Sequence, residues 1–279
     1  MATYIIIPAH LESSRLPGKL LLSETGKPLL QHTWETCAKI ADAQLFVATD
    51  SQEIRHACER FGAQVLYSPE PTFCGNHRVV QAFLKHIRSE PGDVRTTREQ
   101  APPADHSTDE SDVVVNVQGE WPTVDVDSIR RIVREVGAHR EPAMASLYFK
   151  GPAADDPNVV KVVLADHPGG RTDVDTPQRA LYFSRAPVPY GAAHFNYHIG
   201  VFAMNRRLTH NYDALALHSG SYHFDSEHLD QLRVLMHNYP IWMFETKPTI
   251  GVDTRELYER FKCELREGRS TQEQGACFA

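Results

Sequence analysis

The N-terminal part of the chain alternates short apolar runs with segments of helical periodicity. Tyr4–Ile7 is a continuous apolar run ended by Pro8, which is typical of a buried strand that enters a loop. The predicted order is strand 4–7, helix 29–41, strand 45–50, helix 52–61 and strand 64–67. Right-handed crossovers would place these strands in one parallel sheet, whose ligands gather at the carboxyl ends of the strands. The loops that follow the three strands are therefore the first candidates for a functional site.

The rest of the chain continues the pattern after one interruption. Residues 90–111 are rich in charged, hydroxylated and proline residues and offer little to bury, so they are predicted to form a mobile surface insertion. A strand at 112–119 then delivers Gln118, Gly119 and Glu120 to its carboxyl end. Further strands are predicted at 143–149, 159–164, 198–204 and 241–245, and further helices at 78–88, 126–136, 227–237 and 255–266. We expect one α/β domain over residues 1–267, with a small β-rich subregion after about residue 150 and a frayed tail at 268–279.

Composition narrows the class of protein. The 279 residues are 41% hydrophobic, enough for a sizeable core, which excludes a disordered chain or a short module. The formal net charge of −7 argues against general binding to nucleic acid or to an anionic membrane. The chain shows no signal-peptide pattern and no long apolar run, so we expect a soluble cytoplasmic protein. Its five scattered cysteines contain no C-x-x-C pair and predict neither a disulfide framework nor a zinc site.

The loop after the first strand carries the clearest candidate chemistry. Ser13, Ser14, Arg15, Gly18 and Lys19 place two hydroxyls, two cations and a glycine within seven residues. Such a loop could cradle a polyphosphate. A polar turn with two cations is also a common solvated connection, so the residues alone leave both interpretations open.

Six segments, taken together, resemble the bacterial CMP-Kdo synthetases, which are 3-deoxy-manno-octulosonate cytidylyltransferases. They are Pro8–Lys19, Asn116–Gly119, Ala180–Ala186, His198–Gly200, Gln231–Leu235 and Gly251–Thr254. The segments occur in the family's order and, with their flanks, span about residues 4–262. The resemblance implies a mostly parallel, Rossmann-like (GT-A-like) α/β nucleotidyltransferase fold. It also implies a homodimer that uses Mg²⁺ to transfer CMP from CTP to a small acidic acceptor, with release of pyrophosphate.

The resemblance also assigns residues to roles. Arg15 and Lys19 match the cations that hold the triphosphate, and Glu120 and Asp253 match the metal ligands; these four are the predicted catalytic residues. The predicted CTP-binding residues are Pro8, Ala9, His10, Ser13, Ser14, Arg15, Lys19, Cys74 and Gly75. The predicted acceptor-binding residues are Arg78, Gln118, His198, Phe202, Asp230 and Gln231.

Some of the positions matched to nucleotide and metal binding depart from the family pattern. Glu120-Trp121 stands where the family has Asp followed by Glu, and His10 stands where it has an arginine. Asp253 precedes a helix and could be its N-cap instead of a metal ligand. Glu120 could be a surface turn residue and His10 a space-filling one. Trp121 could belong to the core or form a wall of the active site.

The predicted acceptor-binding residues depart further from the family pattern. Phe202 and Asp230 replace a tyrosine and a glutamate of the family, which removes or shortens hydrogen-bonding groups. This favours a compact anionic acceptor, and phosphonoformate in phosphonate (phosphinothricin-type) antibiotic biosynthesis is the first hypothesis. The alternatives are 3-deoxy-manno-octulosonate or a related sugar acid, and a nucleotide-binding protein without catalysis. Cys74, which stands in place of a serine, is expected to fill space beside the base.

Overall fold

The computed structural model describes residues 1–13, 15–88, 111–166, 175–217 and 226–267. The strands are β1 (Thr3–Ala9), β2 (Ala43–Thr49), β3 (Gln64–Tyr67), β4 (Val113–Val117), β5 (Met144–Pro152), β6 (Lys161–Leu164), β7 (Gln178–Ser184), β8 (His194–Asn205) and β9 (Ile241–Glu245). The helices are α1 (Leu29–Cys37), α2 (Gln52–Arg60), α3 (Gly75–His86), α4 (Val126–Ala138), α5 (Arg206–Leu217), α6 (Gln231–Met236) and α7 (Arg255–Glu267), with a 3₁₀ turn at Lys19–Leu21.

The nine strands of the described residues form one sheet in the order β3-β2-β1-β4-β8-β5-β9-β7-β6. The strands β3, β2, β1 and β4 are parallel, as the βαβ pattern predicts. The second half is largely antiparallel, and only β5 and β9 pair in parallel there. The α/β prediction is therefore confirmed, but the sheet is mixed where a mostly parallel one was expected. Strand β6 is antiparallel to both β7 and β8, so β7 and β8 run in the same direction.

The predicted β-rich subregion corresponds to β6, β7 and the first half of β8. The long strand β8 pairs with β4 through its second half and with β5 along most of its length. A bridge between Lys161 and Tyr197 also joins β6 to β8. This part of the sheet thereby curls back on itself beside the carboxyl ends of the parallel strands.

Both faces of the sheet are buried. Along β1, Ile5 and Ile7 face one core cluster, whereas Tyr4 and Ile6 face the other. Helices α1, α2, α4 and α7 contribute side chains to the first cluster, and α3, α5 and α6 contribute to the second. A continuous apolar run in β1 is therefore the expected signature of a strand covered on both sides.

The predicted elements agree closely with those observed, with two omissions. β3 has the predicted bounds, whereas β7 and α5 were not predicted as elements. β7 alternates between buried and exposed side chains and includes the exposed Leu181. The chain enters α5 through a polar stretch, Arg206–Asp213, in which Leu208 and Tyr212 are the apolar side chains, so helical periodicity is hard to read there.

The segments that flank residues 89–110 are tied together. Arg88, just beyond α3, forms a buried ion pair with Asp112, just before β4. The backbone N–H of Ala2 also donates to Asp112 Oδ1 at 3.0 Å. The predicted insertion at 90–111 lies outside the described residues except for Ser111, and the predicted tail at 268–279 lies entirely outside them. In the part of the chain that the structure describes, no helix is long and apolar enough to cross a membrane.

Candidate active site

The loop after β1 folds back on itself at the carboxyl edge of the sheet. Pro8 and Ala9 are buried at the end of β1, and His10 emerges from the strand. Gly18 has a φ of 65°, which favours glycine, and its N–H donates to Leu11 O at 3.2 Å. This turn starts the 3₁₀ segment and fixes the position of Lys19. Ser14, a predicted CTP-binding residue, lies outside the described residues.

Two cations of this loop meet two carboxylates from distant parts of the chain. Lys19 Nζ lies 2.5 Å from Asp253 Oδ1 and 3.4 Å from Glu120 Oε1. Arg15 Nη2 lies 3.0 Å from Asp253 Oδ2. The four residues predicted to be catalytic are therefore brought together in one cluster.

Lys19 is buried within this cluster. Burial by itself disfavours the charged ammonium, but the carboxylates of Glu120 and Asp253 outweigh that effect and raise the pKa of Lys19. The ammonium group therefore stays protonated at neutral pH. The site holds a permanent cation beside two carboxylates.

A backbone contact explains why Glu120 and Asp253 converge. The N–H of Val252 donates to Glu120 O at 2.8 Å, which joins the turn after β4 to the segment before α7. The hydroxyl Oγ1 of Thr254 accepts from the N–H of Leu257 at 3.3 Å. Thr254 therefore caps α7 with its side chain, and the alternative that Asp253 serves as the cap is wrong.

The two carboxylates fit a magnesium ion. Both contact the same Lys19 ammonium, so their oxygens lie close enough together for one cation to bind between them. Mg²⁺ in nucleotide enzymes uses one or two carboxylates, with waters and phosphates completing its shell. No cluster of three or more His, Cys, Asp or Glu side chains that could hold a metal ion occurs among the described residues.

The cluster opens into a cleft of about 900 Å³ that is also lined by five of the six predicted acceptor residues. Gln118, His198, Phe202, Asp230 and Gln231 line it together with His10, Ser13 and the Arg15–Lys19–Glu120–Asp253 cluster. Strands β4 and β8 and the start of α6 position them. Residues separated by much of the chain therefore border a single cavity.

His198 is a buried, neutral histidine at this end of the cleft. Burial lowers its pKa to about 3. Ser146 Oγ lies 2.6 Å from Val201 O and 2.8 Å from His198 Nε2. Because the single hydroxyl proton goes to the closer carbonyl, Ser146 accepts a hydrogen bond from the His198 Nε2–H group. The lone pair on Nδ1 is then left to accept a hydrogen bond.

Asp230 borders the cleft and lies close to Cys74 at the N-terminus of α3. Burial raises the pKa of the Asp230 carboxyl, and its interactions with Cys74 and then with Arg233 partly offset this effect. Burial, followed by the charge of Asp230, raises the pKa of the Cys74 thiol. Cys74 Sγ also accepts from the His77 N–H at 3.4 Å and so caps α3. These contacts show Cys74 as a protonated structural group, in line with its expected space-filling role.

Arg78 lies beside the cleft, close enough to the lining residue His10 to affect its pKa. It does not line the cleft, and its Nη2 lies 2.6 Å from Asp50 Oδ2, at the carboxyl end of β2. Its Nη1 is buried without a hydrogen-bond partner, a donor that an anion could satisfy. Partial burial and then the charge of Arg78 lower the pKa of His10, so these two side chains influence each other. Cys74 and Gly75 also lie outside the cleft lining, and a Cβ on Gly75 would lie 3.7 Å from Pro8 Cγ.

Further residues in the cleft wall and behind it support the site, and no local sequence pattern points to them. Arg15 Nη1 lies 3.3 Å from Asn158 Oδ1, so the loop before β6 contacts the loop after β1. Lys161, fully buried, donates from Nζ to Asp156 O at 2.6 Å and to Arg185 O at 2.8 Å, which anchors the same region. Trp121 lies in the cleft wall, one of the two positions considered for it. No local pattern marks Asn158 or Lys161, because their contacts arise from the curled second half of the sheet.

Comparison with known proteins agrees with this geometry. Residues 4–245 match the profile of a family described as Cytidylyltransferase. The 3-deoxy-manno-octulosonate cytidylyltransferase of Francisella philomiragia subsp. philomiragia is 32% identical over 274 residues, covering 93% of this chain and 96% of that protein. The enzyme of the same name from Escherichia coli is 32% identical over 268 residues, covering 92% and 94%.

Solved structures show the same fold. A CMP:2-keto-3-deoxy-manno-octonic acid synthetase complexed with CTP superposes with a TM-score of 0.75 at 28% identity, covering 96% of this chain and 100% of that one. A UTP-bound UGPase from Acinetobacter baumannii superposes with a TM-score of 0.61 at 11% identity, covering 98% and 96%, and this likeness concerns the fold alone. The fold and the site thus define an α/β nucleotidyltransferase.

Within that class, the chain belongs to the cytidylyltransferase family. The resemblance read from the six sequence segments is confirmed at this level.

Proposed function

We propose that this enzyme transfers CMP from CTP to 3-deoxy-manno-octulosonate or a closely related sugar acid and releases pyrophosphate. The relatives of that name match the chain over nearly its whole length, and one similar structure is a complex with CTP. The observation that carries the proposal is the position of Lys19 between Glu120 and Asp253, at one end of a cleft whose other end presents Gln118 and His198.

The cation cluster explains how the nucleotide would bind. In the reaction an acceptor hydroxyl attacks the α-phosphorus of CTP, its proton passes to water, and the bond from the α-phosphorus to the bridging oxygen breaks so that pyrophosphate leaves. Both partners are anionic, so charge neutralisation and positioning dominate. Arg15 and Lys19 exchange their carboxylate partners for phosphate oxygens and hold the triphosphate in line. Mg²⁺, held by Glu120 and Asp253, supplies further positive charge when bound.

The other end of the cleft would orient the acceptor. Gln118 provides an amide with both donor and acceptor atoms, and neutral His198 provides an acceptor nitrogen. Gln231, at the start of α6, is buried on the same side. These uncharged groups suit a hydroxylated acid, whose carboxylate needs a nearby cation such as Arg185, which also lines the cleft.

A compact acid such as phosphonoformate, in phosphonate antibiotic biosynthesis, is a second candidate acceptor. Two observations favour it. Phe202 is buried against His198, with ring centroids 5.2 Å apart, and offers no hydroxyl. Asp230 has a shorter side chain than a glutamate, and its carboxyl lies buried near Cys74. Fewer polar groups are then left for sugar hydroxyls.

An acceptor screen tests both candidates. Purified enzyme, CTP and Mg²⁺ are incubated with 3-deoxy-manno-octulosonate, sialic acid or phosphonoformate, and pyrophosphate release is measured. We expect the octulosonate to be turned over most efficiently. Preference for phosphonoformate would replace the first proposal by the second. Calorimetric CTP binding without turnover of any acid would support a nucleotide-binding protein that has lost catalysis.

Light scattering of the same preparation tests the homodimer that the resemblance implies.

A further inference from the structure

Trp121 lies between the two functional ends of the cleft. It directly follows Glu120, and its N–H donates to Gln118 O at 3.1 Å, so the turn that carries it is fixed by the backbone. The indole lines the cleft and packs against the core cluster on its other side. An acceptor that reaches from Gln118 toward the nucleotide must pass this ring.

Two glycines make room for the indole. A Cβ on Gly251 would lie 2.8 Å from Trp121 Cζ2, and a Cβ on Gly200 would lie 2.6 Å from Trp121 Nε1. Neither glycine has a positive φ, so space and not backbone conformation explains the absence of a side chain at these positions. The backbones of β8 and of the segment before Asp253 therefore hold the ring in one place.

The ring shares its position with the acceptor residues. The same Cβ on Gly200 would lie 2.2 Å from Gln118 Oε1, so the Gln118 amide and the indole lie side by side over one strand. A flat apolar ring beside an amide suits a sugar, whose C–H face packs on the ring while its hydroxyls bind the amide. A compact trianion has no such face.

We infer that Trp121 is a specificity-determining residue, a platform on which the acceptor sugar acid stacks. The inference rests on the proposed function. It adds to the recognition of the acceptor and assigns no contact with CTP to this residue.

Steady-state kinetics of Trp121→Ala and Trp121→Phe test the platform, with pyrophosphate release as the readout and 3-deoxy-manno-octulosonate as the acceptor. For Trp121→Ala we expect an acceptor KM higher on the order of 10-fold, with the CTP KM changed less than about 3-fold. Trp121→Phe, which keeps an aromatic face, should recover most of the loss. Trp242→Phe, remote from the cleft and stacked on His139, is the matched control. Equal changes in both KM values, or a Phe variant as impaired as the Ala variant, would overturn the inference.

Fluorescence provides a readout that needs neither turnover nor a correctly folded Trp121→Ala variant. The chain has three tryptophans, so Trp34→Phe with Trp242→Phe leaves Trp121 as the single reporter. Added 3-deoxy-manno-octulosonate should change its emission, and phosphonoformate should change it much less. If calorimetry shows saturable binding of the sugar acid but the emission does not change, the platform is rejected and the proposed function stands. Absence of both binding and turnover for every acid rejects the proposed function instead.

Discussion

Lys19 Nζ and Asp253 Oδ1 lie 2.5 Å apart although 234 positions separate the two residues in the chain. The ammonium also contacts Glu120, and Arg15 contacts Asp253, so two cations balance the two carboxylates. In the proposed reaction, the triphosphate would bind Lys19, and Mg²⁺ would bind Glu120 and Asp253. Nucleotide and metal should therefore assist each other's binding. The triphosphate, by binding Lys19, frees the carboxylates for Mg²⁺, and Mg²⁺, by binding the carboxylates, frees Lys19 for the triphosphate.

Replacing Asp253 tests its predicted role as a metal ligand. Asp253→Asn should lower turnover by about 100-fold or more, because an amide is a poorer Mg²⁺ ligand than a carboxylate. Melting temperature and circular dichroism should stay near those of the wild type, since Thr254 and not Asp253 caps α7. Glu259→Gln, on the surface of α7, is the control. A near-native rate for Asp253→Asn would remove this residue from the metal site.

Replacing Lys19 should change two affinities in opposite directions. Lys19→Ala should weaken CTP binding by roughly 10- to 100-fold, the effect of losing a charged hydrogen bond. In the absence of CTP it should strengthen Mg²⁺ binding, because Glu120 and Asp253 lose their cation. Calorimetry measures both, with Lys27→Ala, in a surface pair with Glu35, as control. Unchanged CTP affinity would show that the loop does not bind the phosphates.

His198 should make the protein less stable in mild acid. Burial lowers its pKa to about 3, so the unfolded chain binds more protons than the native one between about pH 6.5 and pH 3. The stability contributed by neutral His198 is complete above pH 6.5 and falls by about 2 kcal/mol by pH 5. Denaturant unfolding at pH 7 and pH 5 measures this effect. Between these two pH values, the free energy of unfolding of His198→Gln should fall by about 2 kcal/mol less than that of the wild type. Equal losses would contradict the buried neutral state.

The segment 89–110 should be dispensable for stability. Its composition offers few apolar side chains, and its flanks are already joined by the Arg88–Asp112 pair. Replacing it with a short Gly/Ser linker should shift Tm by less than about 4 °C. Asp112→Ala should cost roughly 3 kcal/mol, because it leaves Arg88 buried without this carboxylate. A large fall in Tm for the deletion would show that the segment packs on the domain.

Local pattern was sufficient for much of the fold and for the first half of the site. The β-branched run in β1, the period of α2 and the exact bounds of β3 follow from the spacing of apolar residues, because that spacing must match the geometry of each element. The loop from Ser13 to Lys19 could be recognised because its cations and glycine are neighbours in sequence.

The tertiary structure decided which distant groups meet. It pairs Lys19 with Asp253 and places Trp121 over Gly200 and Gly251. These contacts and the mixed order of the sheet all depend on strand order. Strand order is set by the packing of all layers together, so no local spacing encodes it. The sequence by itself determined the elements and the chemical groups at their ends, and packing determined which of those groups share one cleft.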